Sequence, residues 1–122
     1  MRIRALRPEF VEFVPDTLEP GVLYVSIPYA TASHLCACGC GNKVVTPIRP
    51  TDWTLSWNGE SVALAPSIGN WGLPCRSHYW IRSDGRIEWA ARWSDSMVVA
   101  ARRRAVAEKK RYFEKTRRSK RK

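Results

Sequence analysis

Few residues in this chain can act as soft metal ligands. There are four cysteines and two histidines in 122 residues, and all six lie in two short segments. No apolar run approaches the roughly 20 residues that a bilayer span needs. The opening Met1-Arg-Ile-Arg-Ala-Leu-Arg7 lacks the apolar core of a secretory signal. No His-Glu-x-x-His pattern occurs, which removes the usual zinc-peptidase arrangement. Acid is scarce where base is dense: residues 102–122 carry twelve Lys or Arg against Glu108 and Glu114, while the first 101 balance nine basic with nine acidic side chains. The net charge of +10 therefore resides in the tail. These absences predict a reducing, cytoplasmic setting with no membrane partner, and a neutral body with a cationic extension.

The first of the two segments is His34-Leu-Cys-Ala-Cys-Gly-Cys-Gly41 and the second is Pro74-Cys-Arg-Ser-His-Tyr-Trp80. Thiolate and imidazole are the ligands Zn²⁺ prefers, and a closed structural site takes four in a tetrahedron. Cysteines at alternate positions of a straight strand would all point to one face without converging on a point. Gly39 and Gly41 let the backbone turn tightly, as in a knuckle, so that Cys36, Cys38 and Cys40 come together. Cys75 would close the tetrahedron, with His34 and His78 as competing donors. Two disulfides are the alternative, but neighbours two apart make poor bridges, and a reducing compartment favours metal. The expected cofactor is structural Zn²⁺ on Cys36, Cys38, Cys40 and Cys75.

The rest of the body is punctuated as strands. Phe10–Val14, Val22–Ile27 and Lys43–Thr46 are rich in strand formers, and Pro15, Pro20, Gly21, Pro47 and Pro50 interrupt them. Trp53–Trp57 and Glu60–Leu64 flank Asn58-Gly59, the signature of a tight hairpin turn. Ser77–Arg82 and Arg86–Ala90 bracket a second hairpin at Ser83-Asp-Gly85. Ser94-Asp-Ser96 supplies capping oxygens for a helix starting near Met97, on which Val98, Ala101, Ala105 and Tyr112 share a face. From Thr116 on there is no apolar partner, and disorder is expected. The predicted fold is mainly β with α+β character. A small antiparallel sheet with hairpins, closed by a zinc-binding cysteine cluster, spans 1–93, and a basic C-terminal helix with a disordered end spans 94–122.

Between the hairpins lies Ala65-Pro-Ser-Ile-Gly-Asn-Trp-Gly-Leu-Pro-Cys-Arg-Ser-His78, dense in breakers and read as a loop. A serine becomes a usable nucleophile beside a general base, and imidazole is the usual base near neutral pH. With four cysteines on the metal, His78 is free to serve Ser67. Ser77 points away from His78 on a strand and is the weaker nucleophile. Asn70, or backbone amides beside Gly69, are candidate oxyanion donors, and Asp52 is a candidate orienter of His78. The bland alternative is that Ser67 satisfies a turn and His78 ligates the metal. For the cationic tail two partners remain open, an acidic protein surface or nucleic acid, beside a merely solubilising role.

Glu9-Phe-Val-Glu-Phe-Val14, Gly21-Val-Leu-Tyr-Val-Ser26, Cys36-Ala-Cys-Gly-Cys-Gly41, Val45-Thr-Pro47, Pro50-Thr-Asp-Trp53, Pro66-Ser-Ile-Gly-Asn-Trp71 and Cys75-Arg-Ser-His-Tyr-Trp80 occur in this order. In this the chain resembles a small bacterial family catalogued as a domain of unknown function. Its members are encoded in operons beside ubiquitin-like proteins and relatives of ubiquitin-activating and ubiquitin-conjugating enzymes. The resemblance covers roughly residues 5 to 93 and leaves the basic helix outside. It implies a bacterial cytosolic protein partnered by a ubiquitin-like protein and its conjugating enzymes, in an antiviral defence setting. It also implies a peptidase that processes or removes the modifier, deubiquitinase-like, with Ser67 as nucleophile and His78 as base. A non-catalytic zinc adaptor and a nucleic-acid-binding zinc protein are the alternatives.

Overall fold

The computed structural model describes residues 2–120. Two units are distinguished within it, divided between Arg92 and Trp93. The first contains eight strands in two four-stranded sheets. In sheet order, one is built from β1 (Arg7–Phe10), β2 (Val22–Ser26), β3 (Thr31–Leu35) and β4 (Lys43–Pro47). The other is built from β5 (Thr54–Trp57), β6 (Val62–Gly69), β7 (His78–Ile81) and β8 (Ile87–Trp89). A mainly β body with hairpins agrees with the sequence pattern.

Burial explains the division into two sheets. Leu23, Val25, Ala32 and Val44 of the first sheet and Val62, Leu64, Ile68, Tyr79, Ile81 and Ile87 of the second belong to one apolar cluster. Each sheet therefore covers an apolar face of the other, the usual way an amphipathic sheet is stabilised. All five residues of β2 are buried, whereas β4 alternates, with Val44 and Thr46 inward and Val45 outward. That alternation is the half-buried pattern of an edge strand with one solvated face.

Several local expectations are corrected. The first strand is Arg7–Phe10, not Phe10–Val14, and it runs parallel to β2, so the first sheet is mixed rather than purely antiparallel. The register Arg7↔Val22 to Phe10↔Val25 places β1 along the fully buried strand. Thr31–Leu35 is a strand where only the start of a cysteine loop was expected, because it is clamped between β2 and β4. The turn after Trp57 has four residues rather than two: Asn58 Oδ1 accepts from the N–H groups of Glu60 and Ser61, and Asn58 N–H reaches the Ser61 carbonyl. Asn58 thus closes the loop with its own side chain.

Most consequential is the extent of β6. It continues through Pro66-Ser-Ile-Gly69, which the breakers had marked as loop. Leu64 faces Ile81 and Ile68 faces Tyr79, so three residues, 65–67, stand opposite one, Trp80. This is a bulge, and bulges re-aim side chains near functional sites. Ser67 sits on it.

The second unit is a single helix, α1 (Asp95–Lys120). The Ser94 hydroxyl accepts from the Met97 N–H at 3.3 Å, the capping expected there. The helix runs on past Thr116 to Lys120, and the end expected to be disordered otherwise lies at 121–122, outside the described residues. Among the described residues no helix is long and apolar enough to cross a membrane.

Candidate active site

The cysteine segment folds as the knuckle its glycines allow. Gly39 and Gly41 both take positive φ, 89° and 84°. The Gly39 N–H reaches the Cys36 carbonyl and the Cys36 N–H reaches the Asn42 carbonyl, closing the loop on itself. The second segment is brought to it by the loop that precedes β7. The ligand sulfurs of Cys36, Cys38, Cys40 and Cys75 all lie within 4.8 Å of one another. Separations of 3.5 Å (Cys36–Cys38), 3.8 Å (Cys36–Cys75) and 3.9 Å (Cys40–Cys75) resemble the edges of a tetrahedral thiolate site. Metal–sulfur bonds of about 2.3 Å would put tetrahedral sulfurs about 3.8 Å apart. All four cysteines are free thiols, so the disulfide alternative is not realised.

The surroundings fit a metal too. The Ser77 hydroxyl lies 3.0 Å from Cys36 Sγ and 3.4 Å from Cys75 Sγ, and the Asn42 amide donates to Cys40 Sγ at 3.3 Å. Donors aimed at the sulfurs orient and stabilise thiolates. Burial pushes the Cys38 thiol up to about 12, while the Asn42 backbone N–H leads in holding Cys40 down to about 6. Neither histidine belongs to the cluster.

Beneath the cluster is a buried polar network that sequence reasoning missed. The Tyr79 hydroxyl, on a fully buried side chain, lies 2.7 Å from His34 Nε2 and 3.4 Å from both the Ala37 N–H and the Asn70 amide. The Ala37 and Asn70 groups can only donate, so the Tyr79 proton goes to His34. Burial lowers the His34 pKa to about 4, which keeps its ring a neutral acceptor. One hydroxyl on β7 therefore joins the end of β3, the knuckle and the loop after β6. Tyr79 falls in a segment read as strand from its residue types, but nothing in the sequence names its partners.

His78 opens β7 on the opposite face from Tyr79. Its Nε2 lies 2.8 Å from Ser67 Oγ, and its Nδ1 lies 2.7 Å from the carbonyl of Ala91. A carbonyl can only accept, so Nδ1 carries the proton and Nε2 is left as the acceptor for the serine hydroxyl. This is the tautomer a general base needs. The β7–β8 pairing brings Ala91 there, with the Ala90 N–H donating to the His78 carbonyl. No sequence pattern marks a main-chain carbonyl for that role.

The other expected site residues are placed as follows. Asn70 is buried, its amide donating to Ser77 Oγ at 2.9 Å and directed toward Cys36 Sγ and Tyr79. It therefore faces the metal-cluster side. Ser77 likewise faces the sulfurs. Asp52 is half-buried with Oδ2 shielded from solvent. It lies two residues ahead of Thr54, which pairs with Ala65, and so toward the end of the ladder that carries Ser67. Trp71, not anticipated, stands 5.0 Å from the His78 ring. A Cβ built at Gly69 would collide with its indole Nε1, which explains the glycine two positions before it. A cavity of about 220 Å³ borders His78, Ser77, Cys75, Trp89 and Arg92.

A serine hydroxyl hydrogen-bonded to a correctly protonated imidazole, on a β scaffold beside a four-thiol cluster, is the arrangement of a serine hydrolase. Comparison with known proteins agrees. Residues 10–90 match the family described as bacterial ubiquitination-like system serine protease (BubE), and the chain belongs to that family. It is a serine-type peptidase of a bacterial ubiquitin-like conjugation system. Searches of the curated proteins and of the solved structures returned no match.

Two substitutions test the supports of this geometry. Tyr79→Phe should destabilise the fold by about 1–3 kcal/mol, because it leaves buried partners unsatisfied; denaturant unfolding reads this, and a change within error would contradict the network. Gly69→Ala should displace the indole from His78 and lower kcat/KM at least about tenfold, as misplacement near reacting groups does. Unchanged turnover would show that Trp71 does not hold the imidazole.

Proposed function

We propose that the protein matures or removes a ubiquitin-like modifier by acyl transfer, with Ser67 as nucleophile and His78 as general base and acid. The observation carrying this is the 2.8 Å contact between Ser67 Oγ and His78 Nε2, with Nδ1 tied to Ala91. Ser67 Oγ attacks the carbonyl carbon of the modifier's terminal residue while its proton passes to Nε2. The tetrahedral intermediate collapses, the C–N bond breaks, and His78 returns the proton to the departing amine. Water then attacks the acyl ester, giving its proton to Nε2. The ester C–O bond breaks as His78 returns that proton to Ser67 Oγ, and the product acid leaves and loses its proton to water.

The Ala91 carbonyl orients the ring and stabilises the imidazolium less than a carboxylate would, and Asp52 would supply negative charge nearby. With the Asn70 amide directed toward the metal cluster, backbone N–H groups beside Ser67 are the better oxyanion donors. Asn70 would then act as a positioning residue between the sulfurs and β7. The cluster would hold Zn²⁺ on Cys36, Cys38, Cys40 and Cys75, a closed set with no position for substrate. Bound there, the ion would tie the knuckle to the segment three residues before the base. The basic α1 would attract an acidic partner of the system or nucleic acid, by charge rather than by a shaped site.

Incubation with the cognate modifier carrying a C-terminal extension tests the dyad. Ser67→Ala and His78→Ala should each lower kcat/KM by about 10³-fold or more, as removal of a nucleophile or base does elsewhere. Cleavage that survives both removes the assignment. Elemental analysis should find one zinc per chain, lost in Cys75→Ser together with part of the thermal stability. Full stability after chelation, with all four thiols reactive, would contradict a structural ion.

A further inference from the structure

The ladder between β6 and β7 fixes which way each main-chain group near Ser67 points. The Asn70 N–H donates to the Ser77 carbonyl, and the Ala90 N–H donates to the His78 carbonyl. Gly69 pairs with His78, and Ile68 with Tyr79. Bonds from Asn70 to Ser77 make Gly69↔His78 a pair that does not exchange hydrogen bonds, because the two kinds alternate along an antiparallel ladder. The N–H and C=O of Gly69 therefore point away from β7, to the side on which β5 lies. Pairing with β5 stops at Thr54↔Ala65. Gly69, exposed and four residues further on, faces an edge that no strand occupies among the described residues.

Resting on the Ser67–His78 reading, we infer that this edge of β6 receives the extended C-terminal tail of the modifier as an added strand. Gly69 N–H and C=O exchange hydrogen bonds with one residue of that tail. An open edge offers unpaired donors and acceptors to a peptide, and main-chain bonds supply affinity with little demand on side chains. The occupant follows from position. Ser67, two residues back on the same strand, has its side chain on the face shared with His78, so a chain lying along the edge passes its carbonyls beside Oγ. Trp71 covers Gly69 on that face, leaving the in-plane edge as the approach. An alternative occupant, the edge of a second copy, is separated by the test.

The full chain carrying Ser67→Ala, labelled with ¹⁵N, is titrated with a synthetic peptide of the modifier's last eight residues. At saturation the Gly69 amide should exchange with solvent at least about tenfold more slowly, as a newly paired strand amide does. The Ile68 amide, already in the ladder, should change little. In parallel, wild-type protein is assayed on modifier fusions in which each tail amide in turn is replaced by an ester. One position should lose about tenfold or more in kcat/KM, the loss of one hydrogen bond. An unprotected Gly69 amide with peptide bound, no binding at millimolar peptide, protection that depends only on protein concentration, or equal turnover of all esters would each overturn the inference. If wild-type protein still cleaves in a Ser67-dependent way, the dyad stands and only the edge falls. If it cleaves no fusion, the dyad reading fails first.

Discussion

Where β7 begins decides where His78 meets Ser67, and four sulfurs from two remote loops converge just ahead of that point. Cys36, Cys38 and Cys40 leave the first sheet; Cys75 precedes the second sheet's third strand. Their sulfurs meet within 4.8 Å. Four sulfurs so close form a set able to coordinate a metal, and the Ser77 hydroxyl and Asn42 amide are aimed at the same sulfurs. Once Cys75 is fixed, Ser77 and His78 follow within one turn of chain. Alternation along the strand sends Ser77 to the sulfurs, His78 to Ser67 and Tyr79 back to the interior.

That alternation separates structure from chemistry on one strand. The inward face carries Tyr79, whose hydroxyl is hydrogen-bonded to both His34 and Asn70, all three buried. The other face carries an imidazole held between a hydroxyl and a carbonyl. With His78 as the proposed base of Ser67, the buried contacts on the first face would help keep it within hydrogen-bond reach of the serine. The bulge at 65–67 completes the fit by bringing Ser67 diagonally to His78 across the ladder.

Much of this was legible from residue types. Thiolate and imidazole are rare enough that their clustering pointed to a metal centre, and removing the cysteines from the competition left His78 for Ser67. The hairpins were legible from Asn58-Gly59 and Gly85, though Asn58 lengthened its turn by accepting two amide hydrogens. Other features were hidden for physical reasons. Pro66 and Gly69 read as breakers, yet the bulge accommodates one and the Trp71 indole requires the other. Thr31–Leu35 has too little alternation to announce a strand, and β1 pairs parallel to β2 through a contact far along the chain. The Ala91 carbonyl belongs to every residue type equally, so no sequence could single it out as an acceptor for His78 Nδ1.

The central claim is that the Ser67 hydroxyl, activated by His78, becomes acylated. Intact-protein and peptide mass spectrometry after exposure to a fluorophosphonate, a serine-directed electrophile, tests it most directly. The account predicts one adduct per chain, mapped to Ser67, and none in His78→Ala. An adduct on another residue, or equal labelling of Ser67 when His78 is replaced, would contradict it.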